Sequence, residues 1–191
     1  MSLSLPNQLT VARIVFIPVF LVVFFVPILD INNYILMWIF LLAGITDWFD
    51  GYLARKWDQQ SAFGAFLDPV ADKLMVATVL VCLVSKHPTF GVIISSVIIV
   101  GREITISALR EWMAKVGEQS KVQVSYIGKI KTSAQMLAIG FMLYEVPLFG
   151  LIPTLETGKI LLYLSAALTL WSMLSYLKAA WPSLYESQEN Q

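Results

Sequence analysis

Charge is scarce in this chain of 191 residues: only 14% are Asp, Glu, Lys or Arg. A soluble domain carries about 25%, so the chain lacks the polar surface it would need in water. The charge it has cancels, 13 basic against 13 acidic side chains, which leaves no overall basic field for nucleic acid. Cysteine is reduced to Cys82 and histidine to His87. One thiol builds no disulfide scaffold, and no Cys/His cluster is present to take zinc or copper. There is no internal repeat and no low-complexity stretch. What is abundant is apolar: 58% of residues are hydrophobic, and the mean hydropathy is +0.73. That excess excludes disorder and marks an integral membrane protein.

Segments of about 20 apolar residues span a bilayer as helices, and six qualify, at roughly 9–29, 34–54, 62–84, 89–110, 127–149 and 157–180. The expected fold is all-α: a polytopic membrane protein with six transmembrane helices forming one catalytic domain over roughly 1–182, then a polar tail over 183–191. The first segment does not read as a signal peptide. Its apolar run from Ile14 to Leu29 is long for a signal core, and no small-x-small cleavage site follows. Long apolar runs also exclude the short alternating strands of a barrel.

Arg55 and Lys56 follow the second segment, and Lys115, Lys121, Lys129 and Lys131 surround the connection between the fourth and fifth. The opposite loops hold Asp30, then Lys86 with His87, then Lys159 balanced by Glu145 and Glu156. Basic loops stay inside, so both termini are expected in the cytoplasm. The six tryptophans, among them Trp38, Trp48, Trp57 and Trp181, read mostly as anchors at the membrane interface.

Four of the six aspartates, Asp47, Asp50, Asp68 and Asp72, fall in or at the ends of two apolar segments. Carboxylates at membrane depth are costly and need a partner or a wet cavity. Residues three and four apart lie about 60° and 40° from each other around a helix, so each pair shares a face. The short connection Trp57 to Ser61 makes the two helices antiparallel neighbours, which brings four carboxylates together near the cytoplasmic interface. Four such groups repel unless cations sit among them, and hard oxygen donors select Mg²⁺, Ca²⁺ or Mn²⁺. Two divalent ions neutralise four carboxylates, and a pair about 3.5–4 Å apart is the usual clamp for a phosphoryl group. The alternative is that the aspartates cap helix ends or pair with Arg55 and Lys73. Gly51, Ala54 and Gly64 lie four residues from aspartates; they either let a bulky substrate approach the backbone or pack helices closely.

Residues 47 to 72 read D-x2-D-G-x2-A-R-x8-G-x3-D-x3-D. This string resembles the signature of the CDP-alcohol phosphatidyltransferase family at each of its positions: Asp47, Asp50, Gly51, Ala54, Arg55, Gly64, Asp68 and Asp72. The six-span pattern agrees with that family's fold, so the resemblance covers essentially the whole chain. Flanking stretches are most similar to bacterial members that use sn-glycerol 3-phosphate as acceptor. They are Pro6 to Thr10 with Arg13, Thr46 to Gly51, Phe66 to Lys73, Gly101-Arg102-Glu103 with Arg110-Glu111, and Gly128 to Thr132.

The resemblance implies transfer of a phosphatidyl group from CDP-diacylglycerol to glycerol 3-phosphate, with release of CMP. It implies two divalent cations, Mg²⁺ or Mn²⁺, held by Asp47, Asp50, Asp68 and Asp72, with Asp72 also the base for the acceptor hydroxyl. It places Gly51, Ala54, Arg55, Gly64, Asn7 and Thr10 at the CDP end. It further implies a homodimer in a bacterial cytoplasmic (inner) membrane, the active site facing the cytoplasm.

Arg102 is the sharpest candidate for the acceptor phosphate, because it stands in the fourth segment after a largely apolar run, where an unpaired arginine is expensive. Arg110, eight residues on and about 80° around the helix, can reach the same cavity. For both, the alternative is pairing with Glu103 or Glu111. Lys129 and Lys131 open the fifth segment about 200° apart; one faces the site, and the other meets lipid headgroups. Arg13 joins these cations as a phosphate ligand, lines the nucleotide end with Thr10, or snorkels to headgroups. Two rival functions remain. The same reaction with serine or inositol phosphate is one, although serine has no phosphate for these cations. A cation transporter is the other, weakened because all four aspartates lie near one membrane face.

Overall fold

A computed structural model describes residues 5–26, 31–56, 62–116 and 126–189. Among these it contains six helices: α1 (Leu5–Phe25), α2 (Asn32–Lys56), α3 (Ala62–Lys86), α4 (Phe90–Lys115), α5 (Tyr126–Tyr144) and α6 (Thr154–Glu189). The described residues contain no β-strand beyond an isolated bridge between Leu148 and Ile152. Among the described residues, three helices are long and apolar enough to cross a membrane, over Gln8–Phe25, Phe90–Lys115 and Thr154–Lys178. In α2 the apolar part is shorter, Asn32–Thr46, and stops one residue before Asp47.

The chain divides into two compact units. The first comprises Met1–Pro88 and Ile139–Gly158. In it α1 packs on α2 and α3, and α2 packs on α3. Its core is aliphatic and aromatic: Phe20 from α1, Leu36, Phe40 and Ala43 from α2, and Ala71, Met75, Val79, Leu80 and Leu83 from α3. The three- and four-residue spacing on α2 and α3 is that of one buried helix face. Asn32, the first residue of α2, donates its Nδ2 to the Val23 carbonyl of α1 at 3.0 Å, satisfying a carbonyl near that helix's end.

The fifth helix stops at Tyr144, short of the 149 expected from hydropathy. Glu145 takes the left-handed conformation, φ 57°, that terminates many helices, and Pro147 follows. In the count of loop charges Glu145 and Glu156 balance Lys159, and the fold gives Glu145 bonding partners that this count does not address. Its Oε2 accepts hydrogen bonds from Lys86 Nζ at 2.8 Å and Asn33 Nδ2 at 3.0 Å, and its Oε1 accepts one from His87 Nε2 at 2.6 Å. Burial opposes the charge on this carboxyl, but the bonds from Lys86, His87 and Asn33 outweigh it and hold the group below the usual carboxylate range. A left-handed non-glycine residue costs about 1–2 kcal/mol, and the three bonds offset that strain.

The second unit comprises Thr89–Ala138 and Lys159–Gln191. Ile106, Leu109 and Met113 of α4 form a core with Tyr176 of α6, and Trp112, Met173 and Leu177 pack against it. Trp112 is therefore a packing residue, whereas Trp38, Trp171 and Trp181 are exposed as interface anchors would be. The helix α6 continues to Glu189, through most of the stretch expected to be a polar tail.

Outside these apolar cores, many large apolar side chains face outward and several charged or polar ones are buried. Val22, Val81, Val97, Ile104, Leu164 and Trp171 are exposed, while Arg13, Arg102, Lys131, Gln135 and Ser165 are buried. Lipid is the solvent that favours such a surface.

Candidate functional site

The backbone places the four aspartates on two neighbouring helices. Asp50 lies six residues before the end of α2, and Asp68 six residues after the start of α3. At 1.5 Å per residue, each is about 9 Å from its helix end. Asp47 and Asp72 lie nine and ten residues in, about 14–15 Å. The two helices are in contact, and residues 57–61 between them lie outside the described residues. The donor set is wholly hard oxygen, which fits Mg²⁺ or Mn²⁺.

Among these aspartates the structure describes the side chain of Asp72, which is exposed. The side chains of Asp47, Asp50 and Asp68, and those of Asn7, Gly51, Ala54, Arg55 and Lys129, lie outside the described residues. Gly64 is buried, as are Thr10 and Arg13 of α1, each 1% exposed. Burial that complete does not fit an Arg13 that snorkels to headgroups.

The second unit gathers three of the expected cations. Arg102 is buried on α4, and Lys131 is 1% exposed on α5. Arg102 Nη1 donates to Glu103 Oε1 at 2.6 Å, the pairing the sequence had left open. The Lys131 ammonium faces the same Oε1 at 3.9 Å. That is within ion-pair range but too long for a hydrogen bond, so among the described residues Lys131 Nζ has no hydrogen-bond partner. Arg102 Nε and Arg110 Nε are likewise buried without one. Arg110 is held through its guanidinium, 5.8 Å from the centre of the Tyr176 ring, a distance at which the ring face attracts a cation.

Three basic side chains and one carboxylate leave a net charge of +2 in a largely apolar setting, with N–H groups to spare. Buried donors are almost always satisfied. An arrangement that leaves three of them unmet can take an oxyanion, and a phosphate offers enough acceptors for all three.

Tyr176 was not expected here, and no sequence signal marks it: an aromatic on an apolar helix looks like core, and it meets Arg110 across 66 residues. In the sequence Glu103 offers itself only as an alternative partner for Arg102 or Arg110.

Comparison with known proteins covers nearly the whole chain. The family model for CDP-alcohol phosphatidyltransferase matches residues 3–171. A Haemophilus influenzae protein named CDP-diacylglycerol–glycerol-3-phosphate 3-phosphatidyltransferase is 50% identical over 187 residues, covering 98% of each chain. The Escherichia coli K12 protein of the same name is 45% identical over 180 residues, covering 94% of this chain and 96% of its own.

Proposed function

The chain belongs to the CDP-alcohol phosphatidyltransferase family, and from that membership we propose that it transfers the phosphatidyl group of CDP-diacylglycerol to sn-glycerol 3-phosphate. The products are phosphatidylglycerol phosphate and CMP. Two relatives that match almost end to end carry the name of this reaction. The observation in the chain itself that supports it is the buried cation cluster with unmet donors, which suits a phosphorylated acceptor and not serine. Inositol phosphate also carries a phosphate, and against it the relatives' names support glycerol 3-phosphate. Family membership speaks against a cation transporter.

In this reading all six helices cross a bacterial cytoplasmic membrane, with both termini and the active site on the cytoplasmic side. The chain works as a homodimer. Asp47, Asp50, Asp68 and Asp72 hold two divalent cations, which draw charge from the diphosphate when bound. Gly51, Ala54, Gly64, Asn7, Thr10 and Arg55 take the CDP end. Arg102, Arg110 and Lys131 grip the acceptor phosphate, with Lys129 and Arg13 as further cations. The primary hydroxyl of glycerol 3-phosphate is the nucleophile. Asp72, exposed on α3, accepts the hydroxyl proton as the oxygen bonds to the β-phosphorus. The bond from that phosphorus to the CMP oxygen breaks, and CMP departs.

The direct test is CMP release by purified protein in detergent with CDP-diacylglycerol, offering glycerol 3-phosphate, serine, inositol phosphate or no acceptor, each with and without EDTA. Release only with glycerol 3-phosphate, and its loss in EDTA, is the expected result. Release with another acceptor keeps the chemistry and overturns the acceptor. Asp47→Asn and Asp68→Asn each remove ~4 kcal/mol of transition-state stabilisation, about a thousandfold in rate, in a protein that remains folded. Near-normal turnover by either variant would falsify the metal assignment.

A further inference from the structure

Glu103 is an acid placed in a cluster meant for an anion, and its geometry is specific. Neighbours on a helix point about 100° apart and do not normally meet. Even so, the Arg102 guanidinium turns back to Glu103 Oε1 at 2.6 Å. Lys131 arrives from a different helix and faces the same oxygen at 3.9 Å. One carboxylate oxygen therefore stands between two cations brought in by α4 and α5. The two cations are 9% and 1% exposed along their side chains, while Glu103 is 30% exposed, so the acid forms the wetter edge of the cluster.

We propose that Glu103 is a positioning residue for the acceptor phosphate: through one oxygen it holds Arg102 and Lys131 convergent, with Arg102 Nε and Lys131 Nζ left unpaired. The proposal rests on the acceptor-phosphate reading above and adds a residue to it. Glu103 does not bind the phosphate, since two anions repel. It acts through the two cations, whose mutual repulsion it offsets. Glutamine has the same shape without the charge, and in Glu103→Gln the two cations splay apart. If Glu103 were instead a competitor that occupies the phosphate's place, the same change would tighten phosphate binding. The two roles predict opposite signs.

The test uses the full chain in detergent as wild type, Glu103→Gln and Glu103→Asp. KM for glycerol 3-phosphate, KM for CDP-diacylglycerol and kcat are measured, together with the rise in Tm on adding inorganic phosphate. Glu103→Gln is expected to raise KM for glycerol 3-phosphate about tenfold while leaving KM for CDP-diacylglycerol unchanged. Glu103→Asp keeps the charge but draws it back by one methylene, and its KM should fall between, about threefold up. Inorganic phosphate should raise Tm in wild type and less or not at all in Glu103→Gln.

An unchanged or lower KM for glycerol 3-phosphate in Glu103→Gln overturns the proposal, as does a full phosphate shift in that variant. Equal damage to both KM values and to kcat also overturns it, because that is the mark of a general structural role. If Glu103→Gln does not fold, Glu103→Asp decides by the same split between the two KM values. If wild type does not use glycerol 3-phosphate at all, the proposed reaction fails. The phosphate shift still decides the role of Glu103.

Discussion

Glu145 and Glu103 are both glutamates flanked by two basic side chains in an apolar helical protein, and they end in opposite states. Around Glu145 both oxygens are used: Lys86, Asn33 and His87 all donate, and Lys86 also reaches Asn33 Oδ1 at 3.1 Å. Around Glu103, among the described residues, a single oxygen serves one close partner and one distant one, and Lys131 Nζ and Arg102 Nε stay unmet. The first cluster is closed and ties α2, α3 and the end of α5 together. The second is open. A closed ionic cluster stabilises by its own bonds, whereas an open one holds donors in reserve at a cost in stability. Satisfaction of donors separates the closed cluster from the proposed phosphate site, and burial alone does not.

The comparison breaks if the open cluster turns out to be structural. Arg102→Ala removes charge-assisted hydrogen bonds worth about 1.5–3 kcal/mol to a bound phosphate. KM for glycerol 3-phosphate should rise roughly 10- to 100-fold with KM for CDP-diacylglycerol unchanged, as steady-state kinetics will show. A defect confined to the lipid donor would refute the assignment. The closed cluster should behave in the reverse way. Glu145→Gln should lower stability by about 1–2 kcal/mol, read from thermal unfolding in detergent, with KM for both substrates unchanged. The estimate stays modest because Lys86 is 36% exposed and its bond is partly screened.

Acid sharpens the same contrast. The Glu145 carboxyl titrates lower in the folded chain than the ordinary value near 4.3. Its stabilisation is therefore fully present above that ordinary value and is lost as pH falls through the lower, folded one. Between pH 6 and pH 3, wild type should lose more of its Tm than Glu145→Gln, and parallel curves would show that the cluster is not linked to protons. The smallest effect belongs to the exposed pair of Lys115 with Glu111, 3.0 Å apart with both side chains over 70% exposed. Glu111→Gln should change stability by no more than about 0.5 kcal/mol.

Much of this was legible in the sequence, because both membrane helices and buried charge leave local marks. Hydropathy located six helices, five with both ends within about five residues, since a run of apolar residues signals its own length. Arg102 stands out as charge where little belongs, whereas Lys131 reads only as one of two lysines opening the fifth segment. The end of α5 was misjudged because a left-handed glutamate, and not a loss of hydropathy, stops it. The Glu145 cluster joins residues 58, 59 and 112 positions apart, and Tyr176 meets Arg110 from another helix. No periodicity within one helix reports such contacts; they exist only once the helices pack.

The near-complete burial of Lys131 has a further consequence, in the response to salt. Dissolved ions screen charges in solvent over about 8 Å at physiological ionic strength, and screen buried ones far less. Lysines at the surface, such as Lys115, attract anionic lipid by a force that salt weakens. In the proposed acceptor site, the grip of Lys131 on a phosphate lies largely beyond the reach of that screening. Potassium chloride should thus loosen the protein's hold on anionic headgroups well before it loosens its hold on the acceptor, and turnover should persist at ionic strengths where attraction to the membrane surface has faded.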